Sequence, residues 1–373
     1  MKAYTNARVF TGTQIIDNIA VLTDNHIITD MVDPSAIPAD ASVTDLTGKL
    51  LAPAFIDLQI YGGNGRLFSD DLSVAAIQAC YEYCLSGGAA HFFITLATNS
   101  MDVFYKGIDA VRQYWQQGGK GMPGLHLEGP YLNPLKKGAH TEKYIKKPTV
   151  EEVSKLLAYG KDVIKIMTIA PEQCDDAIIQ LLLDNGIIIS AGHSNATYKE
   201  GLAAFDKGIS AATHLFNAMS PLQHREPGLV GAIYNHPAVK SSIVPDGIHV
   251  DFAALRISKK IMQERLFIIT DAVTATNSGD YPHVFKGDRY TMPDGVLSGS
   301  ALTMMQGVKN LVQEAGIDLE EALRMASLYP AQVIGMDKQL GRIEKGYKAN
   351  LIIVQISPDP KQGIFDLVDV MGG

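Results

Sequence analysis

The chain has 373 residues, 46% hydrophobic and 19% charged, enough apolar material to bury a large core and to form more than one domain. Its formal charge of -8, with no cluster of Lys and Arg, excludes the basic surface that a nucleic-acid backbone requires. A small phosphorylated ligand stays within reach, because one arginine and a few backbone N–H groups can hold it.

The N-terminus, MKAYTNARVF, lacks the apolar core of a signal peptide, and no apolar run approaches the roughly 18 residues that span a bilayer. A soluble, cytoplasmic protein without a membrane partner is therefore expected. The first fifty residues alternate apolar and polar side chains in short runs (Ala3 to Phe10, Asn18 to Leu22, His26 to Thr29) broken by Asp24-Asn25 and Pro34-Ser35, the pattern of a small β module. From Leu51 to about Gln339 an apolar run is repeatedly followed by a helix-length amphipathic segment. The runs are LAPAFIDLQI, AHFFITLAT, GLHLE, VIKIMTIAP, GIIISAGH, ISAATHLF, VKSSIVPD and RLFIITDA. Helix patterns cover Leu72 to Leu85, Met101 to Gln117, Pro171 to Asp184, Ala196 to Lys207 and Phe252 to Gln263. Of the three cysteines, Cys80 and Cys84 lie four apart in a helical pattern, and with Cys174 they form neither a disulfide framework nor a Cys-x-x-Cys site. All three read as small core residues. The tail, GRIEKGYKANLIIVQI (Gly341 to Ile356), is a turn-rich stretch leading into a strand.

Eight strand–helix repeats over roughly 290 residues fit a closed parallel barrel, which typically takes about 250. An open doubly wound sheet has the same alternation. Closure is favoured by the strand ends, which carry Asp57 and Gln59, Glu128, His193, His214, Asp246 and Asp271, side chains that a barrel would bring to one rim. The expected fold is a (β/α)8 TIM-like barrel over residues 51–339, with a small β-sandwich domain built from both chain ends, residues 1–50 and 340–373.

One carboxylate and two imidazoles, Glu128, His193 and His214, match a catalytic zinc set, which leaves a position open for water. Each alone could equally be a satisfied structural residue; their shared placement favours a metal, which would give buried Glu128 its charge partner. Asp271 could take a proton from a water beside that metal, or merely cap the following segment. Asn217, backbone N–H groups near Ala218, and Arg225 in HLFNAMSPLQHREPG could grip an anion. PDGIHVD adds His249, and EGPYLNPLKKGAH adds His140 together with Lys136 and Lys137, which read as a solvated loop.

These segments together resemble the N-acetylglucosamine-6-phosphate deacetylases of the amidohydrolase superfamily. The motifs are PAFIDLQIYGG, LHLEGPYLNPLKKGAH, SAGHSNATY, THLFNAMSPLQHREPGLVGA, PDGIHVD, ITDAV, LSGSALTMMQGVKNLV and YPAQVIGM leading into GRIEKGYKANLIIV. The resemblance implies an enzyme that hydrolyses the acetamide of a small amino-sugar phosphate, with Glu128, His193 and His214 on the metal and Asp271 as general base and acid. It implies His249 at the carbonyl oxygen, and Asn217, Ala218 and Arg225 at the sugar phosphate. His140 would approach the sugar, and Leu302, Thr303 and Met304 would line the acetyl pocket. Many amidohydrolases carry His-x-His at the end of the first strand, whereas Gln59 and Tyr61 stand here. One divalent metal per site follows, zinc or alternatively iron, since one Glu and two His discriminate poorly between them. The resemblance also implies a homodimer. Alternative readings are an N-acetylgalactosamine-6-phosphate deacetylase, another amidohydrolase, or a barrel that only binds a sugar phosphate at a vestigial metal site.

Overall fold

The apolar runs fold into eight strands of one sheet. The computed structural model describes residues 1–361, 363 and 365–372. The strands are β1 (Phe55–Ile60), β2 (Ala89–Ala97), β3 (Leu125–Glu128), β4 (Ile164–Ile169), β5 (Ile188–Ala191), β6 (Ala211–Ala212), β7 (Lys240–Ile243) and β8 (Leu266–Ile268). They lie side by side in chain order, and the pairing from β2 to β8 is parallel. The choice between open sheet and barrel is decided beyond β1 and β8. Ile60 bridges Ala272 in parallel, the Asp271 N–H donates to the Gln59 carbonyl at 3.0 Å, and that of Tyr61 to Ala272 at 2.9 Å. The sheet closes into a (β/α)8 barrel. Every residue of β2 is buried, as expected of strands covered on both faces.

Helices between the strands start at ordinary caps. Ser100 accepts from the Val103 N–H ahead of Met101–Gln116, and Thr197 with Glu200 forms a capping box ahead of Tyr198–Asp206. The single helix expected over Pro171 to Asp184 is instead a 3-10 turn, Pro171–Gln173, followed by a helix over Asp176–Asp184. The Glu172 carboxylate is drawn away to Asn133 Nδ2 (2.9 Å), Ser194 Oγ (2.6 Å) and the Asn195 N–H (2.6 Å), which holds that turn apart from the helix. Helices Val150–Gly160 and Gly228–Asn235 complete the set without having been singled out in the sequence.

The chain divides into two compact units. One comprises Leu58–Tyr83 and Phe92–Leu302; the other comprises Met1–Asp57, Cys84–His91 and the described residues from Thr303 onward. The second unit contains a four-stranded and a five-stranded sheet. The chain ends meet in the latter, where Lys49–Pro53 pairs antiparallel with Leu351–Ile356. Tyr4, Val9, Val21, Ile28, Leu51, Leu351 and Ile353 share one buried cluster, so the two sheets form the small sandwich. Among the described residues no helix is long and apolar enough to cross a membrane.

Polar side chains also occupy the barrel interior. His126 Nδ1–H donates to the Leu58 carbonyl at 3.1 Å, so Nε2 accepts from Thr168 at 2.8 Å; Thr168 and Ser190 then meet Thr213 at 2.7 and 2.6 Å. Burial pushes His126, His91 and His283 each down from 6.5 to about 4. An imidazole depressed in the folded state binds fewer protons than in the unfolded chain throughout that window. The contribution of these three groups is therefore fully present above about pH 6.5 and is lost as pH drops toward 4, by up to roughly 1.4 kcal/mol per pH unit for each histidine. Calorimetry of the chelator-treated protein should show its melting temperature falling steadily between pH 7 and 4.5. A flat profile would contradict the assignment.

Candidate active site

Three side chains at the rim are aimed by unusual backbone. His193, His214 and Asp271 follow β5, β6 and β8 with φ of 48°, 37° and 55°. Such left-handed conformations cost about 1–3 kcal/mol each in a residue with a Cβ and persist where surroundings impose them. Here the His193 carbonyl accepts from the Asn133 N–H at 2.9 Å, and the His214 N–H donates to Ser242 Oγ at 2.8 Å. The Asp271 carbonyl accepts from Ser300 at 3.0 Å.

These turns bring the side chains to Glu128, the last residue of β3. Glu128 Oε1 lies 3.0 Å from His214 Nε2 and 3.3 Å from His193 Nε2, and the two nitrogens are 3.1 Å apart. Ligands at about 2.0–2.1 Å around a tetrahedral zinc ion sit roughly 3.3–3.4 Å from one another. His193 Nδ1–H donates to the Lys136 carbonyl at 2.8 Å, which leaves the Nε2 lone pair facing this point, the usual outer support of a metal-bound imidazole. The Nε2 of buried His214 faces the same point, 3.0 Å from Glu128 Oε1 and 3.1 Å from His193 Nε2. A carboxylate oxygen and two imidazole nitrogens converging in this way fit one divalent cation. Burial alone would raise the Glu128 carboxyl, but the imidazoles of His140 and His193 hold it well below the usual range.

His140 also reaches Glu128, and Glu128, His140 and His193 have ligand atoms within 4.8 Å of one another. Its tautomer separates it from His214. The Thr98 backbone N–H donates to His140 Nδ1 at 3.3 Å, so the ring proton is on Nε2, 3.1 Å from Glu128 Oε2. His140 is thus a donor to the carboxylate. It lines the cavity in which the family resemblance sets a sugar contact, and both ring nitrogens also meet protein groups.

Asp271 accepts from Gln59 Nε2 at 2.7 Å. Burial raises its carboxyl above the usual range, against the pull of His214 and His249. His249 Nε2 lies 3.9 Å from Asp271 Oδ2. The ring is fixed from behind: Asp246 Oδ2 accepts Nδ1–H at 2.6 Å, while Oδ1 accepts from the N–H groups of Ile248 (2.9 Å) and His249 (2.8 Å). Burial works to raise Asp246, but the His249 imidazole and these backbone donors hold it below the usual range.

The cavity above these groups has a mixed lining. Asn217 and Ala218 line it, and so do Leu67, Ala97, Val273 and Tyr281, which with Tyr61 beside them form one apolar wall. Arg225 is exposed in the loop before helix Gly228–Asn235 and is not among the lining residues. Nor are Leu302, Thr303 and Met304. Leu302 is buried, and Thr303 caps the helix Met304–Gln313 through a bond from the Gln306 N–H. The apolar wall escaped sequence reasoning because its members are single residues far apart in the chain, one of them at the end of β2, without spacing that links them.

A sequence model of the amidohydrolase family matches residues 50–371, 322 of the 373 positions. The chain belongs to the amidohydrolase family. Residues 1–51 of this amidohydrolase match the NagA composite domain. It is 37% identical over 362 residues, 94% of each chain, to N-acetylglucosamine-6-phosphate deacetylase of Haemophilus influenzae. It is 33% identical over 340 residues, 87% of this chain and 89% of the other, to N-acetylgalactosamine-6-phosphate deacetylase of Escherichia coli. The crystal structure of N-acetylglucosamine-6-phosphate deacetylase from Pasteurella multocida superposes with a TM-score of 0.93 at 35% identity, covering 100% of this chain and 98% of that one.

Proposed function

We propose that this amidohydrolase cleaves the acetamide of N-acetylglucosamine 6-phosphate, releasing acetate and glucosamine 6-phosphate. The observation that carries the reading is the meeting of Glu128 Oε1, His193 Nε2 and His214 Nε2 within 3.3 Å, with Asp271 beside them, in a chain whose 37%-identical relative bears that name.

Glu128, His193 and His214 would hold the cation, which we take to be zinc with iron as the alternative. When bound, such an ion supplies Lewis acidity to an amide oxygen and lowers the pKa of water toward about 7. Asp271, with its raised carboxyl, takes the proton of the attacking water and returns it to the departing amine. Asp246 accepts His249 Nδ1–H and fixes the ring, so that its Nε2 edge faces the carbonyl oxygen where the oxyanion develops. Asn217 and the backbone at Ala218 receive the sugar phosphate, which orients the amide and makes an unphosphorylated sugar a poor substrate; Arg225, outside the lining of this cavity, is retained as a phosphate cation on the family resemblance alone. The acetyl methyl is the one apolar group of this substrate, and it faces Leu67, Ala97, Val273 and Tyr281.

Acetate release tests the reading directly. N-acetylglucosamine 6-phosphate should be turned over and lose its turnover on chelation; inertness toward it would end the proposal. The 33%-identical relative makes the galactosamine epimer the second reading, and a higher kcat/KM for that epimer would select it. Leu67→Ala, which deepens the apolar wall, is expected to raise the N-propionyl to N-acetyl ratio of kcat/KM by about tenfold. An unchanged ratio would place the acyl group elsewhere.

A further inference from the structure

We infer that Tyr61 and His140 are positioning residues that hold Glu128 with Oε1 toward the cation and Oε2 turned away, restricting the carboxylate to one coordinating oxygen. The inference deepens the reading of the site as a single-cation hydrolase and rests on it.

The argument is an assignment of donors. The two oxygens of Glu128 have different neighbours. Oε1 faces the imidazole nitrogens of His193 and His214. Oε2 is met by the Tyr61 phenol and by His140 Nε2. The Tyr61 hydroxyl accepts from Gln59 Nε2 at 2.8 Å, so its own proton goes to Oε2. His140 Nε2 carries the ring proton because Nδ1 accepts from the Thr98 N–H, a group that can only donate. Two protons therefore point at one oxygen, and a carboxylate held in this way cannot swing to chelate an ion through both oxygens without breaking both bonds.

The same arrangement accounts for Gln59 and Tyr61 at the end of β1. Spaced by two, they project to the same side of the strand, where other amidohydrolases resemble one another in having His-x-His. Here that side offers donors: the two Gln59 amide protons go to Asp271 Oδ1 (2.7 Å) and the Tyr61 hydroxyl oxygen (2.8 Å), and the phenol proton goes to Oε2. Donor protons repel a second cation, and Glu128 has no free oxygen to bridge one. A structural tyrosine would need only one acceptor somewhere in the core; this one shares its acceptor oxygen with a histidine from a loop 79 positions away in the chain.

The test measures zinc binding rather than turnover. Tyr61→Phe removes one donor and keeps the ring; His140→Ala removes the other. Each metal-free protein is compared with wild type for zinc affinity, by competition with a chromophoric chelator, and for the visible d–d bands of the cobalt(II)-loaded form. Each variant is expected to bind zinc about tenfold or more weakly. Its cobalt bands should weaken as Oε2 turns inward and the coordination number rises above four. Zinc affinity less than about tenfold below wild type in both variants, with an unchanged cobalt spectrum, overturns the inference alone. Failure of the wild-type chain to take up one equivalent of zinc sinks the cation reading and this inference together. Should Tyr61→Phe not fold, the His140→Ala measurements decide by the same criteria.

Discussion

Replacing Asp271 by Asn is expected to lower kcat by about a thousandfold or more while one cation stays bound per chain. An amide is nearly isosteric with a carboxylate, and its carbonyl oxygen can still accept the bond from Gln59 Nε2 that Asp271 receives at 2.7 Å. The backbone pairing of Asp271 with Gln59 and Ser300 does not involve the side chain. What the substitution removes is basicity. General acid–base groups contribute roughly 10²–10⁴ in rate, and the same group is asked here to take a proton and later give it back. KM for the sugar phosphate should change little, because Asn217 and Ala218, proposed to receive the phosphate, are untouched by the substitution. Metal analysis of Asp271→Asn beside its kinetics checks both halves. Near-normal turnover would remove Asp271 from the chemistry, and loss of the ion would show it to be a ligand.

Removing the cation is expected to abolish activity, and one equivalent of zinc should restore it. Glu128→Gln, His193→Ala and His214→Ala should each lose both metal and turnover, because the first removes the only negative charge among the three atoms packed within 3.3 Å and each of the others deletes one of those atoms. The effect reaches stability as well. An ion that binds only the folded chain at about a hundred times its dissociation constant stabilises by roughly 2.7 kcal/mol, so the melting temperature should rise by several degrees on zinc addition. Titration should stop at one equivalent. Two firmly bound ions would contradict the role given to Gln59 and Tyr61.

The barrel could be read from sequence because burial on both faces leaves a parallel strand almost no room for polar residues. Glu128, His193, His214 and Asp271 therefore stood out at the ends of apolar runs. What the runs did not reveal is that His193, His214 and Asp271 lie past their strands, on left-handed turns. Local pattern carries no trace of that conformation in a residue with a Cβ; the Asn133, Ser242 and Ser300 bonds that stabilise it come from far along the chain. The role of His140 was hidden for the same reason, since its proton is placed by Thr98, 42 residues earlier. The helix expected from Pro171 broke because Glu172 answers to Ser194 and Asn195 rather than to its own turn. Leu302 to Met304 were expected at the acetyl group on family likeness alone, and the cavity is walled by residues from four other segments.

The segment from Glu128 to His140 leaves the carboxylate and comes back to it, closing through His140 Nε2 and Glu128 Oε2. On the way its Lys136 carbonyl fixes the ring of His193. Most rim loops of such a barrel are free to lengthen or shorten as substrates change. This one is tied at both ends through Glu128 and His140 and, by its Lys136 carbonyl, to His193, so a residue gained or lost along it would displace two of the side chains proposed to hold the cation. Diversification of this scaffold toward new amides must then proceed through the other loops.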